Sequence, residues 1–125
     1  MNLGLLKIFF LIFFFSNPLF SEPLQMKYAK FRLLDKISNK LIDKTISVDG
    51  LDEIETLSIR VYACFSEPPT EISEDYVLVD INDNFQDLQK NVYRGWMISS
   101  SPEVTALEHP IYDLWLLGCT SDKTS

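Results

Sequence analysis

Histidine and cysteine are scarce in this chain of 125 residues, which contains one histidine and two cysteines. A structural zinc site needs four ligands, and His109, Cys64 and Cys119 are too few and too widely spaced to supply them. We therefore expect no metal and no cofactor. In an oxidising compartment two cysteines are the natural number for one disulfide, and both end apolar, strand-like runs. The sequence predicts a Cys64–Cys119 bridge, with metal binding by the thiols as the alternative.

A long apolar run is also absent. Ile8–Phe15 has eight residues, whereas a helix that crosses a bilayer needs about 20. The run follows a segment whose one charge is Lys7 and precedes small, turn-forming residues, a pattern typical of a secretory signal peptide. We expect cleavage after Ser21, with Ser16 as the alternative site and an uncleaved membrane anchor as the rival interpretation. Residues 1–21 therefore predict export from the cytoplasm, and no cysteine lies directly after the run to carry a lipid.

Basic residues are in the minority, with 11 against 18 acidic residues and a net charge of −7. Loss of the signal peptide removes Lys7 and leaves 10 basic residues. A surface of this sign does not steer a protein toward nucleic acid or anionic lipid. We therefore expect no nucleic-acid partner, and no membrane span once the signal is cleaved.

The remaining chain alternates strand-like segments with turn signals and shows no useful repeat. Six segments predict strands by their alternation or their β-branched and aromatic content: Ala29–Ile37, Leu41–Val48, Leu57–Phe65, Tyr76–Asn82, Val92–Ile98 and Ile111–Cys119. One short helix is expected over Pro102–Glu108, with Ser101 as its cap and Pro110 ending it.

These elements predict a mainly β domain over residues 29–119, a small antiparallel β-sandwich or partly open barrel of about six strands with one short helix. A flexible lead at residues 22–28 and a flexible tail at residues 120–125 would flank it. An α+β fold is the alternative, because Tyr28–Lys44 also has helical apolar spacing.

Three positions leave the local geometry open. Gly95 inside a strand indicates a bulge or a close backbone approach. Regular alternation places Cys64 on the face opposite Leu57, so either the bridge pins that other face or a bulge rotates the cysteine. The acidic stretch Leu51–Glu55 is expected to be a loop.

Several motifs resemble an uncharacterised, mostly alphaproteobacterial envelope family catalogued as domain of unknown function 2155. They are LDK at Leu34–Lys36, Cys-x-x-x-Pro-Pro at Cys64–Pro69, GWM-x-SSSP at Gly95–Pro102 and ALEHPIYDLW at Ala106–Trp115, followed by Cys119. The resemblance covers roughly Ala29–Cys119. It implies an exported, cysteine-paired domain and implies no activity.

Serine, histidine and aspartate occur close together between Ser99 and Asp113. A serine nucleophile would need its oxygen within hydrogen-bond distance of the His109 ring and a carboxylate behind that ring. The spacing does not establish this, and there is no G-x-S-x-G motif. Structural roles are the preferred interpretation, with Ser101 capping the helix and His109 ending it near backbone carbonyls. We therefore predict no catalytic residue.

Asp113 is the one charge in an apolar run, and an unpaired buried carboxylate is costly. We expect it to pair with Arg94, with Arg60 or with backbone N–H groups.

Aromatic residues could form the core or line a groove for sugars or peptides. Tryptophan carries large burial in small domains, so Trp96 and Trp115 are expected in the core, while Tyr93 and Tyr112 remain open between the two roles. Four acidic residues could hold calcium but lack an EF-hand pattern, so they are expected to form a solvated loop: Glu67, Glu71, Glu74 and Asp75.

The candidate binding surface comprises eight residues: Tyr93, Arg94, Trp96, Ser99, Ser100, His109, Tyr112 and Asp113. The protein is expected to be a non-enzymatic periplasmic domain, either one that binds another envelope protein or a structural component of the envelope. The alternative is a binder of a cell-wall sugar or peptide, and a hydrolase is third.

Overall fold

A computed structural model describes residues 22–67, 74–102, 107 and 109–123. The described chain is mainly β, as predicted. Its eight strands are β1 (Leu24–Gln25), β2 (Tyr28–Asp35), β3 (Lys40–Ser47), β4 (Leu51–Ile54), β5 (Leu57–Ser66), β6 (Asp75–Asp83), β7 (Lys90–Ile98) and β8 (Tyr112–Thr120). A single 3₁₀ turn, Phe85–Asp87, connects β6 to β7.

The strands form two antiparallel sheets that face each other as a sandwich. In the larger sheet β6 lies between β5 and β7, while the far edge of β5 pairs with β1 at one end and with β4 at the other. The smaller sheet has the order β3-β2-β8. Strand β8 packs against β5 and β6 of the larger sheet. This confirms the predicted antiparallel β architecture.

The core lies between the sheets and is built by the inward-facing positions of each strand. Its largest members are Phe31, Leu33, Leu114 and Leu116 from the smaller sheet, and Leu57, Ile59, Val61, Val77, Val79, Ile81 and Met97 from the larger one. Full burial of one such side chain stabilises the fold by about 1.5–3 kcal/mol. Strict alternation in β2 and β6 supplies these residues at every second position.

Strands β2 and β3 form the predicted hairpin, which excludes the alternative helix over Tyr28–Lys44. Asn39 in the turn has a φ of 60°, a conformation that asparagine tolerates better than most residues. Arg32 lies opposite Asp43 in the register, and its guanidinium donates to both carboxylate oxygens at 2.7 and 2.9 Å.

The stretch Leu51–Glu55 differs from the prediction, because Leu51–Ile54 forms β4 rather than a loop. Glu55, with a φ of 54°, closes a tight turn that folds β4 back onto β5. Ile54 is buried and anchors the otherwise acidic strand. Leu24–Gln25, in the expected flexible lead, also pairs with the end of β5.

Bulges in two strands decide where the cysteines point. In β5, Val61 pairs with Val79 and Ala63 with Leu78, so Tyr62 is an extra residue. Cys64 is therefore turned onto the core face and is fully buried. This answers the question that alternation left open.

In β8, Leu116 pairs with Phe31 and Gly118 with Lys30, so Leu117 is the extra residue there. It turns Cys119 inward. Cys64 and Cys119 are bonded, with Cα atoms 5.8 Å apart, a usual separation for a disulfide. The predicted cysteine pair is confirmed, and it joins the larger sheet to the smaller one.

Neither of the two features predicted at Gly95, a bulge or a close backbone approach, is found there. The β6–β7 ladder runs without interruption through this position, and no atom lies within 4 Å of where a Cβ would stand. The bulge lies instead at Val92, which is skipped in the register between Ile81 and Asn82. Gly95 has a φ of 147°, which side-chain-bearing L-residues rarely adopt.

Some predictions fall outside the described residues. These are the signal peptide at residues 1–21, Glu71, and most of the predicted helix, of which Pro102 lies in a turn and Leu107 is buried. Within the described ranges, none of the helical structure is long and apolar enough to traverse a membrane.

Candidate binding surface

The eight residues of the predicted binding surface do not lie together. Arg94 and Trp96 are exposed on the outer face of the larger sheet. Ser99 and Ser100 lie beyond the last residue of β7, beside the start of β6. The remaining residues either lie at the opposite end of β6, point into the sandwich or belong to the smaller sheet.

The two serines hold the first residue of β6 and the residue before it in place. The Ser99 hydroxyl accepts a hydrogen bond from the backbone N–H of Asp75 at 3.0 Å, and the Ser100 hydroxyl binds the Glu74 carboxylate. The Asp75 carboxylate binds the Ser66 hydroxyl and accepts from the backbone N–H of Cys119 at 2.7 Å. This network therefore connects the larger sheet to β8.

His109 lies at the other end of β6. Its Nδ1 accepts from the backbone N–H groups of Ile111 and Tyr112 at 3.0 and 3.3 Å, so that nitrogen carries no proton. The proton is on Nε2, which donates to the Asp83 carboxylate at 2.7 Å. With a side chain only 5% exposed, His109 closes this end of the sandwich and orders the turn before β8.

The pKa of Asp83 lies below its ordinary value. Burial raises this pKa, but hydrogen bonds from His109, from Thr56 and from the backbone N–H of Phe85 outweigh burial. The Tyr112 hydroxyl is hydrogen-bonded to that of Thr56 across 3.4 Å. The polar groups at this end therefore bind one another.

The separation of the two ends excludes the serine–histidine pair. Asp75 binds Ser99, Asp83 binds His109, and these aspartates stand eight residues apart on one strand, roughly 26 Å at 3.3 Å per residue. The carboxylate that is hydrogen-bonded to the His109 ring belongs to Asp83 and not to Asp113.

Asp113 is not buried, contrary to the prediction. It occupies an outward position of β8 between the inward-facing Tyr112 and Leu114, and its side chain is 46% exposed. Its partner is Lys36, with Nζ 3.4 Å from Oδ1, rather than Arg94 or Arg60. An apolar run had suggested burial on both faces, whereas only one face of this strand meets the core.

The tryptophans are not core residues either. Trp115 occupies the outward position between Leu114 and Leu116 and is only partly buried, while Trp96 is 46% exposed. The two tyrosines, in contrast, are turned inward. Tyr112 is 5% exposed, and the half-buried Tyr93 donates its hydroxyl to the Trp96 carbonyl at 2.6 Å. Burial raises the pKa of Tyr93.

The outer side of the larger sheet carries an apolar surface that we call the aromatic face, consisting of Tyr62, Phe65, Leu78 and Trp96. Leu78 lies opposite Trp96 across β6 and β7, and the rings of Phe65 and Trp96 are 6.2 Å apart. Tyr62, the extra residue of β5, is 46% exposed. The sequence analysis identified only Trp96, although alternation along β6 would have placed Leu78 on this side.

A depression of about 580 Å³ opens in the aromatic face. Its lining residues are Tyr62, Leu78, Val79, Asp80 and Arg94. Arg94 lies at its rim, with its guanidinium 3.1 Å from Asp80 and its side chain 73% exposed. The depression therefore combines an apolar floor with an edge formed by the Arg94–Asp80 ion pair.

Carboxylates stand at the other end of this face. The Tyr76 hydroxyl donates to Glu67 at 2.8 Å and lies 3.4 Å from Glu74, and the hydrogen bond to Glu67 is the main reason why the pKa of Tyr76 rises to about 12. Among the residues that the structure describes, no group of three or more His, Cys, Asp or Glu side chains is arranged to hold a metal ion.

These features define the chain as a small β-sandwich, joined by a disulfide between its sheets and bearing an exposed aromatic face. It belongs to the family described as "Uncharacterized protein conserved in bacteria (DUF2155)", which residues 29–119 match. The resemblance seen in the sequence motifs is thereby confirmed.

The chain is also similar to the "Uncharacterized protein RP359" of Rickettsia prowazekii (strain Madrid E), with 28% identity over 64 residues. That match covers 50% of this chain and 41% of the relative, so it spans less than half of that protein. No solved structure matches the chain significantly.

Proposed function

We propose that this protein is an exported, non-enzymatic domain of the periplasm that binds another envelope protein through the aromatic face. The observation that carries the proposal is the exposure of Trp96 and Tyr62, both 46%, on one face of the larger sheet, where they lie with Phe65 and Leu78. Tyrosine and tryptophan are enriched at the energetic centres of protein interfaces.

Export is supported by the sequence and by the cysteines. The apolar run Ile8–Phe15 has the length of a signal-peptide core. A bond between Cys64 and Cys119 persists in an oxidising compartment and is rare in the cytosol.

The two ends of the sandwich are poorer binding candidates than its face. His109 at one end and Asp75 at the other already satisfy backbone N–H groups and neighbouring side chains. A ligand there would have to displace bonds that hold β8 to the larger sheet. A groove for sugars or peptides between Tyr93 and Tyr112 is not favoured either, because Tyr112 lies in the core.

Photo-crosslinking in the native envelope tests the proposal. The photoreactive residue p-benzoylphenylalanine replaces Phe65, which lies half-buried beside Trp96. We expect one reproducible crosslinked envelope protein. The variant Tyr62→Ala/Trp96→Ala should reduce its yield by about tenfold or more, because truncation of even one aromatic hot spot costs about 2 kcal/mol or more.

Matched controls use exposed apolar residues outside the aromatic face. Ile37→Ala/Leu88→Ala truncates side chains that are 78% and 73% exposed and should leave the yield unchanged. A photoreactive residue at Leu41, on β3 of the smaller sheet, should give no such product. Absence of a product at position 65, or the same product at position 41, would refute the role of this face.

A further inference from the structure

We infer that the partner of the aromatic face is an extended acidic polypeptide segment, in which an apolar side chain and a carboxylate lie two residues apart. The inference rests on the proposed function and adds the chemistry of the partner. It is based on a row of charged residues that lies beside the aromatic face and on the guanidinium N–H groups in that row that have no partner among the described residues. It is also based on the spacing between this charged row and the row of apolar residues.

The charged row crosses all three main strands of the larger sheet. Asp80 on β6 lies opposite Arg60 on β5 and opposite Arg94 on β7. Two guanidinium groups therefore flank one carboxylate. The surplus of positive charge is local, since the whole chain carries 18 acidic against 11 basic residues.

The carboxylate between the arginines is already bound on both oxygens. Oδ1 of Asp80 accepts from the Asn91 amide and Oδ2 accepts from Arg94. Arg60 is exposed, and the described part of the chain provides it with no ion pair. Arg94 uses one nitrogen of its guanidinium for Asp80 and is otherwise largely in solvent. Both arginines can therefore bind carboxylates of a partner, which is the pairing that a guanidinium favours.

The spacing of the rows sets the pattern that they can bind. On β6 the apolar row is marked by Leu78 and the charged row by Asp80, two residues or roughly 6.6 Å further along the strand. In an extended peptide, side chains at positions i and i+2 lie on one side and are separated by a similar distance. A segment lying along the strands can therefore place an apolar side chain in the depression and a carboxylate on the arginine row.

The opposite end of the aromatic face limits where the acidic residues of the segment can lie. Glu67 and Glu74 stand there, bound to the Tyr76 hydroxyl, and would repel carboxylates. A second copy of the chain is a weaker match, because its own acidic end would have to give up those bonds to reach the arginines. The aromatic face therefore favours a segment whose acidic residues all lie either before or after its apolar anchor along the chain.

Two labelled peptides of identical composition test the pattern by fluorescence anisotropy with the oxidised mature protein. In the first, Ser-Gly-Phe-Ser-Glu-Ser-Glu-Gly, both glutamates project from the same face of the extended peptide as the phenylalanine. In the second, Ser-Gly-Phe-Glu-Ser-Glu-Ser-Gly, they project from the opposite face. Only the glutamate two residues from the phenylalanine reaches the arginine row. We therefore expect the first peptide to bind about threefold more tightly, the effect of one exposed ion pair, and to lose this advantage in high salt.

Variants assign the effect to the arginines. Arg60→Gln/Arg94→Gln should bind both peptides equally, whereas Lys27→Gln/Lys40→Gln removes two exposed positive charges elsewhere and should retain the preference. Tyr62→Ala/Trp96→Ala should weaken both peptides. Equal binding of the two peptides to the unaltered protein, no binding of either, or equal loss in the lysine variant would overturn the inference.

The two proposals fail separately. A crosslinked envelope protein without the peptide preference would preserve the protein-binding role and refute the acidic segment. The peptide preference without any crosslinked envelope protein would refute that role and preserve the chemistry of the face. A crosslink to a second copy of this chain would refute the acidic-segment partner.

Discussion

Val61 and Cys64 point to the same side of β5 although they are three positions apart, an odd spacing that regular alternation would place on opposite sides. The extra residue Tyr62 makes it possible, and Leu117 has the same effect between Leu116 and Cys119 on β8. The disulfide between the sheets therefore depends on one bulge in each strand.

Reduction of the disulfide should destabilise the domain. The bond closes a loop with a sequence separation of 55, for which the chain-entropy account gives about 4 kcal/mol. We expect urea unfolding with and without dithiothreitol to differ by up to this amount. Cys64→Ala/Cys119→Ala should resemble the reduced protein and be insensitive to dithiothreitol. An unchanged midpoint for the native protein would contradict the expectation.

His109→Ala should lower the free energy of unfolding by about 3 kcal/mol. The substitution leaves two backbone N–H groups without their acceptor, and each such loss in a protein interior costs about 1–3 kcal/mol. His109→Asn should recover part of the loss, because the amide oxygen can occupy the position of Nδ1. Chemical denaturation of the three proteins measures both effects. An Asn variant no more stable than the Ala variant would argue against the acceptor role.

Asp83 should contribute to acid sensitivity. Its folded-state pKa lies below the ordinary value of 3.8, so the stability that it provides is present above about pH 4 and is lost as the pH falls through the folded-state pKa. Asp83→Asn cannot titrate, so its free energy of unfolding should fall less over the same acid range. Asp35, Asp43 and Asp52 also have lowered pKa values and remain in both proteins. Equal acid profiles would contradict the prediction.

Gly95→Ala should destabilise the fold by about 1–2 kcal/mol even though space for the methyl group is open. The cost arises from the φ of 147°, which is unfavourable for L-alanine. A semisynthetic protein with D-alanine at this position is the control, because D-residues favour positive φ. We expect thermal unfolding to show a loss for L-alanine and little loss for D-alanine. Similar midpoints for the two would indicate that φ is not the cause.

The strands with regular alternation could be predicted from sequence. The residues of β2 and β6 show their inward and outward sides directly, and Asn39 indicates the hairpin turn. Strand β4 could not be predicted, since one buried isoleucine among acidic residues gives too weak a pattern. Its pairing with β5 supplies the hydrogen bonds that keep it extended.

The candidate surface was harder to predict than the fold. Large aromatic residues suggest burial, yet Trp96 is exposed because its neighbours Gly95 and Met97 occupy the inward positions of β7. Asp113 was also wrongly expected to be buried, because an apolar run does not reveal that only one of its faces meets the core. The exposure of Tyr62 depends on the bulge in β5, and no residue type near Tyr62 indicates that bulge.

The sequence by itself determined the β class, the hairpin and the pairing of two cysteines, because these follow from periodicity, turn residues and counting. It also determined the family, through the motifs that resemble it. Tertiary structure alone decided which side of each strand faces the core near a bulge, which carboxylate supports His109, and which aromatic residues remain in solvent. Those outcomes depend on how two sheets pack over each other, and a single extra residue in a strand reverses the side on which every later side chain lies.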